Sequence, residues 1–406
     1  MTNSITILKA YKTKLRPTAE QNRYFGACCG AARYVFNWAL ADRIATYEAG
    51  GKPNKFEQKR RFNAIKDDVC PWIRDYPYVL TESEFSHVDV AYQNFFRRVK
   101  QGAEKAGFPK FKKRGNGSFT LRGSIRIENG LIKLPRIGWV NLAEKSYIPE
   151  NVKINFVTIS ESGGDWFVSV QVEEEIELNE VGNDIIGVDV GIKSLAVLST
   201  GESFDNPKTL RQYEKKLATL QRELSRRKKF GANWKKTKKK ISKLHRKIAN
   251  IRKHMQHNIS RAVIDHNPAV VVLEDLNVKG MMAKAKPKQN EDGHFEKNGR
   301  AAKRGLSKSL TDSGLGELHR QIEYKAEWNG TEIIRVDRFM PSSKTCSNCG
   351  CIKSDLTLAD RLFRCDDCGF EIDRDLNAAL NLAAYGEGVK RPGLPLELEG
   401  LPSTVN

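Results

Sequence analysis

An α/β chain in more than one domain is predicted by three features of the sequence. Apolar residues alternate with period two over residues 107–183, whereas the stretch before them, to about Lys105, repeats at helical spacing. Two short apolar runs, IIGVDVG and AVVVLE, read as buried strands, and each carries one acid where burial is costly, Asp189 and Glu274. Near the C-terminus two C-x-x-C pairs lead directly into a helix with an acidic start at Asp373 and Asp375. With 406 residues there is room for two or three domains and an ample core.

The chain carries 39% hydrophobic residues and a formal charge of +20, a composition that suits a globular protein with a polyanionic partner. Nucleic acid is the expected polyanion. A membrane surface would also attract positive charge, but the basic residues run along the whole chain, and neither a lipidation motif nor a strongly apolar amphipathic helix accompanies them. The start, MTNSITILKAYKTKLRP, lacks a long apolar run, and no stretch reaches the roughly 18 apolar residues of a membrane span. The expected setting is therefore reducing and cytoplasmic, with no membrane partner.

Taken in order, ITILKAYKTKL (residues 5–15) alternates as a strand, and Thr18 after Arg16-Pro17 is a plausible helix cap. Helical spacing of Tyr24, Phe25, Tyr34, Val35, Trp38 and Leu40 then predicts packed helices to about Lys105, with these residues as core rather than base-stacking surface. Phe108, Phe111 and Phe119, interleaved with Lys110, Lys112, Lys113 and Arg114, fit either a nucleic-acid face or a sheet core with a basic exterior. Residues 152–176 read as a hairpin turning at Gly163-Gly164. Residues 208–264 form two basic helices joined near KKFGANWKK, with Leu217, Leu220 and Leu224 facing Ile241, Leu244, Ile248 and Ile251. Polar residues 281–309 are expected to be a mobile loop, GLGELHRQIEYKAEWNG a helix, TEIIRVDRF a strand, and the Pro- and Gly-rich stretch beyond Tyr385 a disordered tail. The unpaired Cys28 and Cys29 read as small core residues and Cys351 as a bystander.

Cys346 and Cys349, then Cys365 and Cys368 after fifteen intervening residues, have the spacing of a structural zinc site. A pair of disulfides is the alternative, and it needs an oxidising compartment. In the helix that follows, Leu376, Ala379, Leu380 and Ala383 share one face. Its two aspartates could simply cap it and complement its dipole. Asp275 directly follows Glu274, and only one of the two can share a strand face with Asp189.

The order of these elements, a strand with Asp189, hairpin strands, helices, a strand ending in Glu274, a helix, a strand and a helix beginning near Asp375, matches a ribonuclease H-like α/β fold. Three carboxylates gathered at one point would repel one another, and two Mg²⁺ ions would both neutralise them and supply phosphoryl-transfer chemistry. The stretches KAYKTKLRPTAEQ, FPKFKKRGNGSF, GVDVGIKSLAV, VVVLEDLNVKGM, QIEYKAEWNG, DRFMPSSKTCSNCG and CDDCGFEIDRDLNAALN resemble the TnpB family, insertion-sequence-encoded proteins related to type V CRISPR effectors, over about residues 8–386. That resemblance implies an RNA-guided DNA endonuclease whose partners are a guide RNA from the transposon end and double-stranded target DNA. It implies Asp189, Glu274 and Asp375 as catalytic Mg²⁺ ligands, with Asp373 as the alternative third acid, and Cys346, Cys349, Cys365 and Cys368 as Zn²⁺ ligands.

The implied architecture is a RuvC-like nuclease domain with an inserted zinc ribbon, plus an N-terminal split β-barrel with a helical insert. Its expected divisions are residues 1–16 and 107–183 for the barrel, 17–106 for the insert, 184–345 and 369–386 for the nuclease domain, 346–368 for the ribbon and 387–406 for the tail. A guided regulator that binds without cutting, a strand-transferring transposase and a plain zinc-ribbon RNA-binding protein are the rival functions. The first would need a lost acid and the last leaves Asp189 and Glu274 unexplained; the ribbon and split barrel argue against the transposase.

Overall fold

The computed structural model describes residues 4–390 except 104, 116, 179 and 358. The chain divides into two compact units, Thr6–Glu175 and the flanking residues through Ile5 and from Ile176 onward.

The first unit begins with β1 (Ser4–Arg16), whose period-two alternation buries Ile7, Tyr11, Thr13 and Leu15. Helices α1 (Ala19–Glu48), α2 (Lys55–Val69) and α3 (Tyr78–Lys100) follow. Thr18 caps α1 as expected: its hydroxyl accepts from the Gln21 backbone N–H at 3.2 Å, and the Gln21 side chain accepts from the Thr18 N–H at 3.0 Å. The strands resume with β2 (Ser118–Leu121), β3 (Arg126–Glu128), β4 (Leu131–Leu134), β5 (Gly138–Leu142), β6 (Lys153–Ser162) and β7 (Asp165–Glu177). All seven join one sheet in the order β2-β6-β7-β1-β5-β4-β3, so the helices are an insertion between two pieces of one β-unit. Gly163 and Gly164 turn the β6–β7 hairpin at φ 61° and 79°, angles that tolerate few residues besides glycine. Phe25 of α1 packs on Phe119 and Trp166 with ring centroids 6.0 and 5.2 Å away. Phe119 is thus core, whereas Phe108 and Phe111 stay about half exposed.

In the second unit, β8 (Ile185–Asp189), β9 (Ser194–Leu198) and β10 (Ser203–Asp205) form an antiparallel meander. Helices α4 (Thr209–Arg226) and α5 (Ala232–Asp265) lead to β11 (Val270–Glu274), and α6 (Val278–Met281), α7 (Arg300–Ser313) and α8 (Leu315–Asn329) lead to β12 (Glu332–Val336). Beyond lie the small hairpin β13 (Leu362–Arg364) and β14 (Glu371–Asp373), then α9 (Arg374–Lys390). The sheet order is β10-β9-β8-β11-β12, with β8, β11 and β12 parallel, as expected of a ribonuclease H-like fold. No helix among the described residues is long and apolar enough to cross a membrane.

The central strands are buried on both faces, which is why they read as continuous apolar runs. Ile186, Val188, Val271 and Leu273 pack with Ile259, Val263, Leu318 and Ile322 of α5 and α8. Ile185, Val270 and Val272 pack instead with Leu382 of α9. Helix α9 lies very close to β8, because a Cβ on Gly187 would stand 2.0 Å from the Ala379 carbonyl oxygen and 2.6 Å from the Ala383 nitrogen.

Several expectations change. Residues 300–309 belong to α7 rather than to a loop, and α9 runs to Lys390, so residues 386–390 are helix and only 391–406 of the expected tail lie outside the described residues. The α9 face is rotated from the one expected: Asn377, Ala378, Ala379 and Leu382 are deepest, while Leu376, Leu380 and Ala383 are half-buried, because the contact is set by backbone approach at Gly187 rather than by leucine packing. The α4–α5 pair packs through Leu217, Leu220, Ile241, Leu244 and Ile248, with Leu224 and Ile251 outside that cluster. The seven strands of the β-unit form one sheet with β2 and β3 at its ends.

The close approach at Gly187 makes a sharp prediction. Gly187→Ala should lower stability by about 3 kcal/mol in denaturant unfolding. Gly305→Ala, in a solvent-facing turn of α7 with nothing within 4 Å of the added carbon, should instead raise it by about 0.5–1 kcal/mol. Equal effects from the two substitutions would contradict the packing.

Candidate active site and cysteine cluster

The period of two that sorts the sheet's faces also places its acids. On β8, Ile185, Gly187 and Asp189 share the α9 face; on β11, Val270, Val272 and Glu274 do so. The two parallel strands pair Leu273 with Val188, so the next residues, Glu274 and Asp189, emerge side by side at the C-terminal ends of the strands. Ala379 meets Gly187, and Asp375 lies one turn before Ala379 on the same helix, which brings the first turn of α9 to the same place. Loops at the carboxyl ends of parallel strands are where α/β sheets commonly carry their sites.

The proximity of these charges has an electrostatic consequence. Burial, then the carboxylates of Glu274 and Asp375, push the half-buried Asp189 carboxyl up to about 8, with Arg374 opposing them. A proton or a cation must therefore occupy the site for these groups to coexist at neutral pH.

Each acid is held differently. The Ser342 hydroxyl, 4% exposed, donates to Oε1 of Glu274 at 2.5 Å. Asp275 turns away and forms an ion pair with Arg338. Asp375 accepts from Nε and Nη2 of its neighbour Arg374, at 3.2 and 3.0 Å. Asp373 accepts from the backbone N–H groups of Asp375 and Leu376, at 2.9 and 3.1 Å, and so caps α9. Its carboxylate is committed to the helix end, and the charges of both Asp375 and Asp373 reach Asp189, that of Asp375 more strongly.

The segment carrying Ser342 is clamped by two buried amides of α9. Asn381 donates to the carbonyls of Ser342 and Thr345, both at 2.7 Å. Asn377 donates to Thr345 O at 2.6 Å and accepts from the Ser347 N–H at 2.9 Å. Sequence reasoning named neither these asparagines nor Ser342. The available signal was two amides four residues apart on a face that was otherwise apolar, with RFMPSSKTC as the complementary segment.

That clamp leads straight into the cysteines. The thiols of Cys346, Cys349, Cys365 and Cys368 all lie within 4.8 Å of one another, and among the described residues they are the one group of His, Cys, Asp and Glu gathered tightly enough for a single ion. Cys349 and Cys365 stand 3.5 Å apart, and Cys346 and Cys368 3.7 Å. Burial pushes the Cys346 thiol up, whereas the Phe370 backbone N–H pulls Cys368 down to about 6. No disulfide links any of the eight cysteines; Cys28, Cys29 and Cys70 are buried and Cys351 is exposed.

The raised Asp189 carboxyl predicts the pH response of metal-free protein. Its folded value of about 8 exceeds the ordinary 3.8, so the stabilisation from holding its proton is full below 3.8 and is lost as pH rises through about 8. Neutral Asp189→Asn escapes this loss. In chelator it should melt above wild type at alkaline pH, and the difference should shrink on acidification; parallel pH profiles would contradict the crowding.

Comparison with known proteins matches three separate stretches of the chain. A model described as "Probable transposase" matches residues 167–285, spanning Asp189 and Glu274. One described as "Cas12f1-like, TNB domain" matches residues 316–382, spanning the four clustered cysteines and Asp375. A third, "Helix-turn-helix domain", matches residues 1–52, where the described residues form a strand and a single 30-residue helix. The chain is 36% identical over 391 residues to "Putative RNA-guided DNA endonuclease InsQ" of Escherichia coli (strain K12), covering 94% of this chain and 93% of that protein. It is 31% identical over 390 residues to "Putative RNA-guided DNA endonuclease" of Streptomyces pristinaespiralis, covering 94% and 90%. The cryo-EM structure of the Cas12f1-sgRNA-target DNA complex shares the fold, with a TM-score of 0.53 at 14% identity over 93% of this chain and 99% of that one. With relatives at 36% and 31% identity matched almost end to end, the chain belongs to the TnpB family.

Proposed function

We propose that the protein is an RNA-guided DNA endonuclease that hydrolyses phosphodiester bonds with Mg²⁺ held by Asp189, Glu274 and Asp375. The observation that carries this reading is the convergence of three carboxylates at the ends of β8 and β11 and the start of α9, crowded enough to hold Asp189 up at about 8. Hard oxygen donors of this kind suit Mg²⁺, and the charge they share is what a divalent ion would relieve. Two bound ions would supply activation of a water and stabilisation of the departing 3′ oxygen.

The chain's own groups set the geometry. Ser342 fixes one oxygen of Glu274 and Arg374 one oxygen of Asp375, so each acid presents its other oxygen in a defined direction. Asp373 keeps the helix start in place. The four thiols fit Zn²⁺: a tetrahedron with arms of about 2.3 Å has edges near 3.8 Å, close to the observed 3.5 and 3.7 Å. Zinc there would be structural, anchoring the clamp that leads to Ser342.

The α4–α5 hairpin would hold nucleic-acid backbone, because residues 208–264 carry twenty Lys and Arg against two acids, Glu214 and Glu223. In this reading the N-terminal β-unit forms a split barrel that, with its helical insert, binds a duplex of guide RNA from the transposon end and target DNA, next to a short adjacent motif. Base pairing supplies the sequence specificity and the protein supplies backbone contacts. A prokaryotic cytoplasm, at the nucleoid, is the corresponding setting.

The test is to purify the protein from cells that also express its flanking DNA, sequence the co-purified RNA and challenge the complex with a plasmid library matched to that RNA. Mg²⁺-dependent cutting beside one short motif, abolished by Asp189→Ala, is the expected result. RNA-dependent binding without cutting would replace the reading with a regulator, joined ends would replace it with strand transfer, and absence of bound RNA would refute guidance. Within the active complex, Ser342→Ala should raise the Mg²⁺ needed for half-maximal cutting about tenfold or more, while Ser342→Thr retains function. A shift below about twofold would show that the hydroxyl does not position Glu274.

A further inference from the structure

Beyond Glu274 the chain turns through α6 and enters a stretch that the site does not use. Residues 282–307 enclose a cavity of about 650 Å³ between a short loop and the first half of α7, a volume suited to a ligand of nucleotide size. The loop is organised. Gln289 bridges Phe295 antiparallel, the Glu296 N–H donates to Lys288 O at 3.0 Å, and the Asn298 amide donates to Lys286 O at 2.8 Å.

Two features of the lining point to one ligand chemistry. Lys284, Lys288, Arg300, Lys303 and Arg304 line the cavity against a single acid, Glu296. Among the described residues, none of those five cations forms an ion pair with a carboxylate, so their charge is available to a phosphate. Phe295, bridged to Gln289 at the cavity wall, remains 75% exposed. An exposed ring beside cations without carboxylate partners is the combination that holds a base and its backbone together.

We propose that this cavity is a binding site for a single strand of nucleic acid, with an unpaired base stacked on Phe295 and the adjoining phosphates held by Lys284, Lys288 and Lys303. A duplex does not suit it, because paired bases hide the faces that a lone ring would stack on. An acidic peptide would satisfy the cations and leave the ring without a purpose. The site rests on the proposed nucleic-acid function for its use, but its occupancy can be read without any cutting.

The experiment is lysine footprinting of the full chain as purified, with its co-purified RNA. Acetylation of Lys284, Lys288 and Lys303 is followed by mass spectrometry while a short mixed-sequence single strand is added, as DNA or as RNA, or as the matching duplex. Single strands should protect all three lysines, and duplex should need a concentration at least about tenfold higher. Phe295→Ala should raise the half-protecting concentration about tenfold and Phe295→Tyr should not. Whichever strand protects at the lower concentration identifies DNA or RNA as the occupant. Unchanged reactivity, equal protection by duplex, or indifference to Phe295→Ala would overturn the proposal. Cutting activity without protection would refute this site alone, whereas protection in a protein that cannot cut would refute the nuclease reading alone.

Discussion

The second unit depends on one close approach, the backbone of α9 against β8 at Gly187. No other residue type leaves space there, since a Cβ would stand 2.0 Å from a carbonyl oxygen. Gly386 repeats the device at the far end of the helix, where an added Cβ would meet Val272 and Ile185 at 2.6 and 2.8 Å. Between these points the helix lies flat on the α9 face of the sheet. Its first turn is thereby pressed toward the strand ends that carry Asp189 and Glu274. Packing forces together charges that would otherwise separate, and the raised Asp189 carboxyl is the electrostatic consequence.

The same helix ties that site to the cysteine cluster. Asn377 and Asn381 bond the backbone on both sides of Cys346, and the segment they hold carries the hydroxyl that meets Glu274. Buried amides are retained where every donor finds a partner, and these find carbonyls that would otherwise lie unsatisfied. A change at the thiols can therefore reach the carboxylates through a short, rigid path of hydrogen bonds. Around this acidic point the chain is strongly basic, so a polyanion is drawn to the protein while its local repulsion from the carboxylates is left for cations to screen.

Much of this was legible in the sequence because the relevant physics is local. Two apolar runs that each lead into an acid announce buried strands with a charge at the tip, and C-x-x-C spacing announces converging thiols. Thr18 and the Gly163-Gly164 turn were readable from cap and turn chemistry. The capping role of Asp373 was not, because both it and Asp375 sit at a helix start; only the hydrogen bonds show which one caps. The α9 face was misread because a leucine pattern predicts side-chain packing and says nothing of backbone contact at a glycine two hundred residues away. Ser342 was hidden for the same reason: its partner lies at the end of β11, far away in the sequence. Residues 300–309 looked like loop because they are polar, yet a polar helix is sufficient where one side meets the core through Leu310.

The central claim is that Asp189, Glu274 and Asp375 act together in holding divalent cations. It is tested most directly by titrating the metal-free protein with Mn²⁺, a spectroscopic substitute for Mg²⁺, and reading bound ion by electron paramagnetic resonance. The account predicts a binding event that is lost or strongly weakened in each of Asp189→Asn, Glu274→Gln and Asp375→Asn, and kept in Asp275→Asn, whose carboxylate is turned toward Arg338. Binding that survives all three substitutions, or that depends on Asp275 instead, would contradict it.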